Sequence, residues 1–404
     1  MGYWSDKAIE VAEFGKSWLQ TEKQSVCADC LNEKGIVDFI ESNAADGQCS
    51  YCGTAGRVAS MSEVVPHIRA SLSLEWASPD EELPYDPEDG IWLFGEPIST
   101  YELLGTLIFH DYDGTVPQAL VDDITTAMPL NEWAAIDAVR TTKTELLTNS
   151  WQAFCHVVKH ERRYFFGLEI SDKIILNLYG DEVQLGPQQL LQLILEFLRD
   201  QRRLKTMPKG WQVMRCQPKD PNAEPFDAIR MGPPPLEFAT QSNRMSPAGV
   251  SMFYGSTDRD VCLREIADEA GYFACGTFEV DRETVLIDLT GKISIPSLFD
   301  QNFNKDRPLW SFIRHFLDDF RKPIVKDGRE HIEYVPTQVV SEYFRSSNHK
   351  DIGRISGVLY DCSRAPGKDA VVLFADSSSI TEELDSAESI KLKMVNYEEL
   401  EFTP

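Results

Sequence analysis

The stretch Asn243-Arg244-Met245-Ser246-Pro247-Ala248-Gly249-Val250-Ser251-Met252-Phe253-Tyr254-Gly255, followed after four residues by Asp260-Val261-Cys262-Leu263-Arg264-Glu265, orders a turn, a strand and a helix. Pro247 and Gly249 mark a turn just after Arg244. Val250–Gly255 reads as a short strand with Tyr254 near its end, and Glu265 sits on the helix expected next, where Val261, Ile266 and Ala270 can face a core. An arginine fork grips phosphate or ribose oxygens, a tyrosine ring stacks on a cationic heterocycle, and a carboxylate steadies positive charge developing on a ribose carbon. Together they suit cleavage of a glycosidic bond to nicotinamide, although Arg, Tyr and Glu in that order are a common set by themselves.

Outward from this stretch, short β-type runs (Val250–Gly255, Thr284–Leu289, Ala370–Phe374) alternate with helical patterns. The clearest helix is LWSFIRHFLDDFRK, ending before Pro323, and a last strand is expected at Val395–Phe402 after the acidic, Ser-rich 376–389. Upstream, Leu147, Trp151, Phe154 and Val158 recur at helical spacing, and Gly186–Leu204 has Pro187 suited to a first turn. Between these halves the chain turns Pro-rich. The resulting division is a zinc-binding module over 1–65, an acidic, mostly helical accessory domain over 66–205, a linker over 206–235 and a catalytic domain over 236–404.

Cys27-Ala-Asp-Cys30 and Cys49-Ser-Tyr-Cys52 are two CxxC knuckles eighteen residues apart, the spacing of a four-cysteine zinc site. Four sulfurs leave no open coordination position, so the Zn2+ is expected to be structural; paired disulfides or a redox dithiol are the alternatives. Cys155, Cys216, Cys262, Cys275 and Cys362 show no ligand spacing and read as buried free thiols.

The chain carries 65 acidic against 39 basic residues, a net charge of −26, and no Lys or Arg between Ala70 and Val139. Such a surface repels phosphate backbones, so nucleic acid is not an expected partner. No apolar run is long enough for a membrane span, and Met1–Gln20 shows no secretory pattern; a cytoplasmic protein is expected.

The opening stretch resembles the start of a RES domain, in which an arginine precedes a tyrosine by ten residues and a glutamate by twenty-one, the intervals of Arg244, Tyr254 and Glu265. Tyr334-Val-Pro336-Thr337-Gln338, with Ser341-Glu342 beyond it, resembles the family's second block. Tyr360-Asp361-Cys362-Ser363-Arg364 resembles its serine block. The family often reads Tyr-x-Ser-Ser-Arg there, so the serine role falls either to Ser363 or to the position now held by Cys362. The resemblance covers roughly Pro233 to the C-terminus.

It implies an α+β protein with a C-terminal split mixed sheet like that of ADP-ribosyltransferases, and a bacterial toxin or defence effector that degrades NAD+. By position, Arg244 would hold the dinucleotide, Tyr254 would pack on the nicotinamide side, Glu265 would stabilise the transition state and Ser363 would complete the site. Tyr334, Gln338 and Arg364 are further candidate binding residues; Thr337 reads equally as a helix cap and Arg364 as a surface pair. The cysteine segment and its helical partner resemble the accessory domain in front of certain RES and HEPN proteins. A separate antitoxin or trigger protein and a homo-oligomer are the expected partners. A protein-directed ADP-ribosyltransferase and a non-catalytic binding or regulatory protein are the competing readings.

Overall fold

A computed structural model describes residues 21–110, 114–138, 140–164, 185–322, 328–349, 353–381 and 390–404. The first twenty residues of the expected zinc module and most of the acidic 376–389 stretch lie outside them. The chain divides into two compact units, one formed by Met1–Glu145 with Ser294–Ser311, the other by Leu146–Ile293 with Phe312–Pro404. Among the described residues no helix is long and apolar enough to cross a membrane.

In the first unit a hairpin of Ala45–Gln48 and Ala55–Ser60 is joined at its edge by Ser25–Val26. Helices Lys34–Asn43, Met61–Leu72, Thr100–Leu107 and Gln118–Thr126 pack one face each into a single core. Ser99 and Glu102 form a reciprocal capping box at the third of these, satisfying two donors that the first turn leaves unpaired. Residues 294–311 return to this unit: Leu298 and Phe299 enter its core, Ser297 donates to Glu33 at 2.5 Å, and Arg307 pairs with Glu75 at 2.7 Å.

The described residues of the second unit include the strands β1 (Leu204–Met207), β2 (Gln212–Pro218), β3 (Phe253–Gly255), β4 (Gly271–Val280), β5 (Thr284–Asp288), β6 (Gly353–Asp361), β7 (Asp369–Leu373) and β8 (Leu392–Phe402), with the two-residue strand Asn348–His349 paired antiparallel to β6. One sheet runs β3-β7-β6-β5-β1, antiparallel except for the parallel pair β5·β6; the other is antiparallel, in the order β2-β4-β8. They meet where Met214 of β2 bridges Ser256, just beyond β3. A Cβ at Gly255 would collide with the Met214 carbonyl, so only glycine allows this approach. The unit's longer helices are most of α1 (Lys143–His156), α2 (Pro187–Asp200), α3 (Arg259–Ile266), most of α4 (Arg307–Arg321) and α5 (Val335–Ser346), beside the single turns Ala228–Met231 and Glu330–Glu333.

The helical spacings read from the sequence hold: Leu147, Trp151, Phe154 and Val158 are buried, and Pro187 opens α2. The linker does not hold. Residues 206–235 contain β2 and the end of β1, because their prolines punctuate strands: Pro208 accepts the Trp211 N–H in the turn joining β1 to β2, and Pro218 ends β2. Nor do the 1–65 and 66–205 limits match the units, since the cysteine segment shares one core with the helices up to Met128, while α2 belongs with the sheets. Val250–Met252 stays out of the strand, and Ala270 is exposed, because α3 stops at Ile266. Cys216 and Cys275 are also not free thiols: they are register partners across β2 and β4, and a disulfide joins them.

Phe278 is fully buried, edge-on to Phe253 at 5.1 Å. Phe278→Ala should cost about 3–5 kcal/mol through lost burial and the cavity left behind, read as a lower midpoint in urea unfolding; an unchanged midpoint would contradict the packing.

Candidate functional site

Arg244 stands on the loop 242–246, which is closed by the Asn243 N–H donating to the Ser246 carbonyl at 2.8 Å. α5 holds this loop in place. Thr337 Oγ1 donates to the Arg244 carbonyl at 2.5 Å, and Gln338 Nε2 reaches Ser242 Oγ at 2.8 Å and the Asn243 carbonyl at 2.7 Å. The Arg244 guanidinium donates to the Phe320 and Lys322 carbonyls at the end of α4 and lies 5.9 Å from the Tyr334 ring centre. The negative end of a helix dipole suits a cation there.

Tyr254 follows from β3, its hydroxyl 2.9 Å from Ser246 Oγ. Burial pushes the phenol up to about 12, so it is neutral at physiological pH. Glu265 stands on α3, whose first turn is capped by the Asp258 side chain. Tyr360, at the end of β6, is pushed well above the usual phenol range by burial and by the nearby Glu265 charge. Two cavities meet on these side chains. One, about 900 Å³, is lined by Arg244, Tyr254, Glu265, Tyr334, Ser363 and Arg364 among others. The other, about 610 Å³, shares Tyr254, Glu265 and Tyr360 with it and continues to Arg215 and Arg230.

Six of the seven residues singled out in the C-terminal half thus line one cavity. Gln338 does not; it is buried and braces the loop. Thr337 is likewise a brace and not a helix cap, since its hydroxyl donates to carbonyls. Arg364 is engaged with Asp268 at 2.6 Å and with the Arg264 and Ala267 carbonyls, so the surface-pair reading describes it. Ser363 is exposed to the cavity, whereas Cys362 is buried beside Val261, Ala365 and Ala370. Burial, and the Glu265 carboxylate that its thiol faces, push Cys362 up to about 11.

Arg215, on β2, escaped the sequence reading. It donates to the Tyr254 carbonyl at 3.0 Å, its Nε is buried without a partner, and no described carboxylate pairs with it. Burial pushes its guanidinium down to about 10, as expected for a buried cation with no anion. The short apolar run Val213-Met214, with Cys216 beyond Arg215, is the available strand signal, masked by the prolines on either side.

The four knuckle cysteines converge in the first unit. The Sγ–Sγ separations Cys27–Cys30, Cys27–Cys52 and Cys30–Cys49 are each 3.6 Å, and all four sulfurs lie within 4.8 Å of one another. Gly53, at φ 74°, closes the second knuckle by donating to the Cys49 carbonyl at 3.0 Å. A tetrahedral ion with bonds of about 2.3 Å to sulfur needs sulfur–sulfur edges near 3.8 Å. The cluster fits a metal ion on that measure, and such an ion would also relieve the burial that raises the Cys27 and Cys30 thiols.

These features define a mixed α/β unit with a two-armed, arginine-lined cleft, and a separate, largely helical unit that contains a four-cysteine cluster. Residues 211–393 match the family model described as RES domain, and residues 42–172 match the one described as HEPN/RES N-terminal domain 1. The chain thus carries one segment similar to a RES domain and, ahead of it in sequence, one similar to the HEPN/RES N-terminal domain 1. No curated protein and no solved structure matches the chain.

Removing the brace in Gln338→Ala takes the donor from part-buried loop acceptors and leaves a small void at a buried position, at about 1–3 kcal/mol in all. The midpoint of unfolding should fall, and hydrogen exchange over 242–246 should accelerate; unchanged exchange would refute the brace. Cys362, a buried thiol titrating near 11, should resist alkylation by iodoacetamide at pH 7 in the folded protein. Rapid modification there would contradict its placement.

Proposed function

We propose that the RES domain of this chain degrades NAD+, breaking the bond between nicotinamide and ribose, and that the protein is a bacterial toxin or defence effector. The observation that carries this reading is the meeting of two cavities at Glu265, Tyr254 and Tyr360, with the half-buried guanidinium of Arg215, which has no carboxylate partner among the described residues, to one side. A dinucleotide cut at its glycosidic bond needs room on both sides of the reacting carbon and a carboxylate between them. The two sheets meeting at Met214 and Ser256, with the cleft opening there, suit an ADP-ribosyltransferase-like split sheet.

In this mechanism the C1′–N1 bond breaks, its electron pair leaves with neutral nicotinamide, and Glu265 stabilises the oxocarbenium-like ribose. Water or phosphate then attacks C1′ and gives up a proton to solvent. The two neutral tyrosines supply ring faces and hydroxyls without adding charge beside the carboxylate. Arg215, fixed on the Tyr254 carbonyl, presents its remaining N–H groups to the diphosphate. Ser363 takes the serine position, since it lines the cavity. The cysteine quartet holds a structural Zn2+, for which four thiolates and no open position are the fitting donor set.

Purified full-length protein incubated with NAD+, with and without phosphate, should release nicotinamide; the co-product, ADP-ribose or its 1-phosphate, identifies the acceptor. Glu265→Ala should lower kcat by roughly 10²–10³-fold with little change in unfolding midpoint. Intact NAD+ under all conditions would overturn the reading, and label transferred to a macromolecule would replace it with protein ADP-ribosylation. Elemental analysis should find one zinc per chain, lost in Cys49→Ser together with a lower melting temperature of the first unit.

A further inference from the structure

The two arms of the cleft differ in how their cations are used. In the larger arm each guanidinium is engaged: Arg244 with the Phe320 and Lys322 carbonyls, Arg321 with Asp361 at 2.7 Å, Arg364 with Asp268 at 2.6 Å. Glu265, at the junction of the two arms, and Glu330 and Asp361 line this arm too, so three carboxylates face its three guanidiniums without a ligand. In the smaller arm Arg215 and Arg230 have no carboxylate partner among the described residues. Arg230 rests on the Phe226 ring at 5.2 Å, and its backbone is fixed by Asp227 and Gln217.

Phe238 lines this smaller arm and is 66% exposed; its chain neighbour Leu236 is 64% exposed, and Ile229, which lines the adjoining cavity, 58%. Phe238 is not on a loose loop. It ends the short turn Leu236–Phe238, with its N–H donating to the Pro235 carbonyl at 2.8 Å. On either side, Ser251 Oγ donates to the Pro234 carbonyl at 2.6 Å and the Gly249 N–H to the Ala239 carbonyl at 2.7 Å. Phe238 also lines an adjoining cavity of about 310 Å³ together with Arg215, Arg230 and Pro234. A large ring held in water on an ordered backbone, beside two unneutralised guanidiniums, offers a planar stacking face next to an anion site.

We propose that Phe238, Arg230 and Arg215 form the seat of the adenosine diphosphate half of the substrate, with the adenine stacked on Phe238 and the diphosphate between the two guanidiniums. This deepens the NAD+ reading above and rests on it. It fixes one orientation: the dianionic half fills the unneutralised arm, and the nicotinamide half crosses Glu265 into the arm whose charges already balance. Phe238 is then the residue that makes a dinucleotide a better substrate than nicotinamide mononucleotide.

The test compares NAD+ with nicotinamide mononucleotide on the full-length chain, and titrates ADP by calorimetry. Because Phe238 is exposed, Phe238→Ala leaves the core intact. It should lower the ratio of kcat/KM for NAD+ over the mononucleotide about tenfold, mainly through the KM for NAD+, and raise the Kd for ADP about tenfold. Arg230→Ala should weaken ADP more than adenosine. An unchanged ratio in a wild-type background that cleaves NAD+, or an equal loss on both substrates, overturns the seat while sparing the proposed reaction. If the wild type cleaves neither substrate, the reaction fails and ADP alone decides: a tenfold weaker Kd in Phe238→Ala upholds the seat, and an unchanged Kd overturns it.

Discussion

The cleft depends on the hydrogen bonds that α5 makes to the loop 242–246. Gln338 and Thr337 are buried polar side chains, and they are tolerated because they find acceptors on this loop, which has no ladder of its own, with the Tyr334 carbonyl as a second acceptor for Thr337. Without these donors the carbonyls of Asn243 and Arg244, both in part-buried bonds, would lose partners, at a cost of up to about 1 kcal/mol each. Fixing this loop fixes the Arg244 guanidinium against the end of α4, and Ser246 against the Tyr254 hydroxyl. Arg321, on the last turn of α4, then reaches Asp361 and the Leu289 carbonyl, tying the helix end to β6 and to the segment after β5. One brace thus positions residues that lie more than a hundred positions apart in the chain.

That arrangement separates two kinds of arginine that look alike in a sequence. Arg244, Arg321 and Arg364 each satisfy helix-end or loop carbonyls, with a carboxylate added for the last two, and so act as fixed parts of the wall. Arg215 has a single neutral acceptor and a buried Nε with no partner. A cation left in that state lowers stability in the empty protein. The opposing approach of β2 and β3 at Gly255 forces it, because the same close contact that aligns Tyr254 also brings Arg215 against it.

Much of this was legible in the chain, and the failures have identifiable causes. The intervals from Arg244 to Tyr254 and Glu265 are local, crossing one turn, one strand and one helix start, so spacing alone brings them toward one cavity. The cysteine knuckles are local for the same reason, each a tight bend. Arg215 lies outside any such local unit; only the β2·β4 ladder and the Met214–Ser256 bridge deliver it. The Cys216–Cys275 pair is likewise set by strand register across a separation of 59 residues, which no spacing rule reports. Gln338 was read as a pocket residue because a polar side chain near a helix start looks the same whether it faces a ligand or a loop.

The serine block shows how register decides chemistry at the level of one residue. β6 ends at Asp361, where alternation gives way to a turn held by the Cys362 N–H donating to the Lys368 carbonyl at 2.9 Å. Cys362 therefore turns inward to the small cluster with Val261 of α3, while Ser363 stays outside and meets the cavity. A hydroxyl in the inner position would need a full hydrogen bond to offset its desolvation; a thiol is a softer, weaker donor and tolerates the apolar neighbours. Since that thiol faces Glu265, its burial keeps a neutral group against the carboxylate and leaves the negative charge on the side of Glu265 that opens to the cleft. The departure from a serine pair is thus compatible with the charge on Glu265 being directed to the junction of the two arms, because the outer member of the pair is the one exposed there.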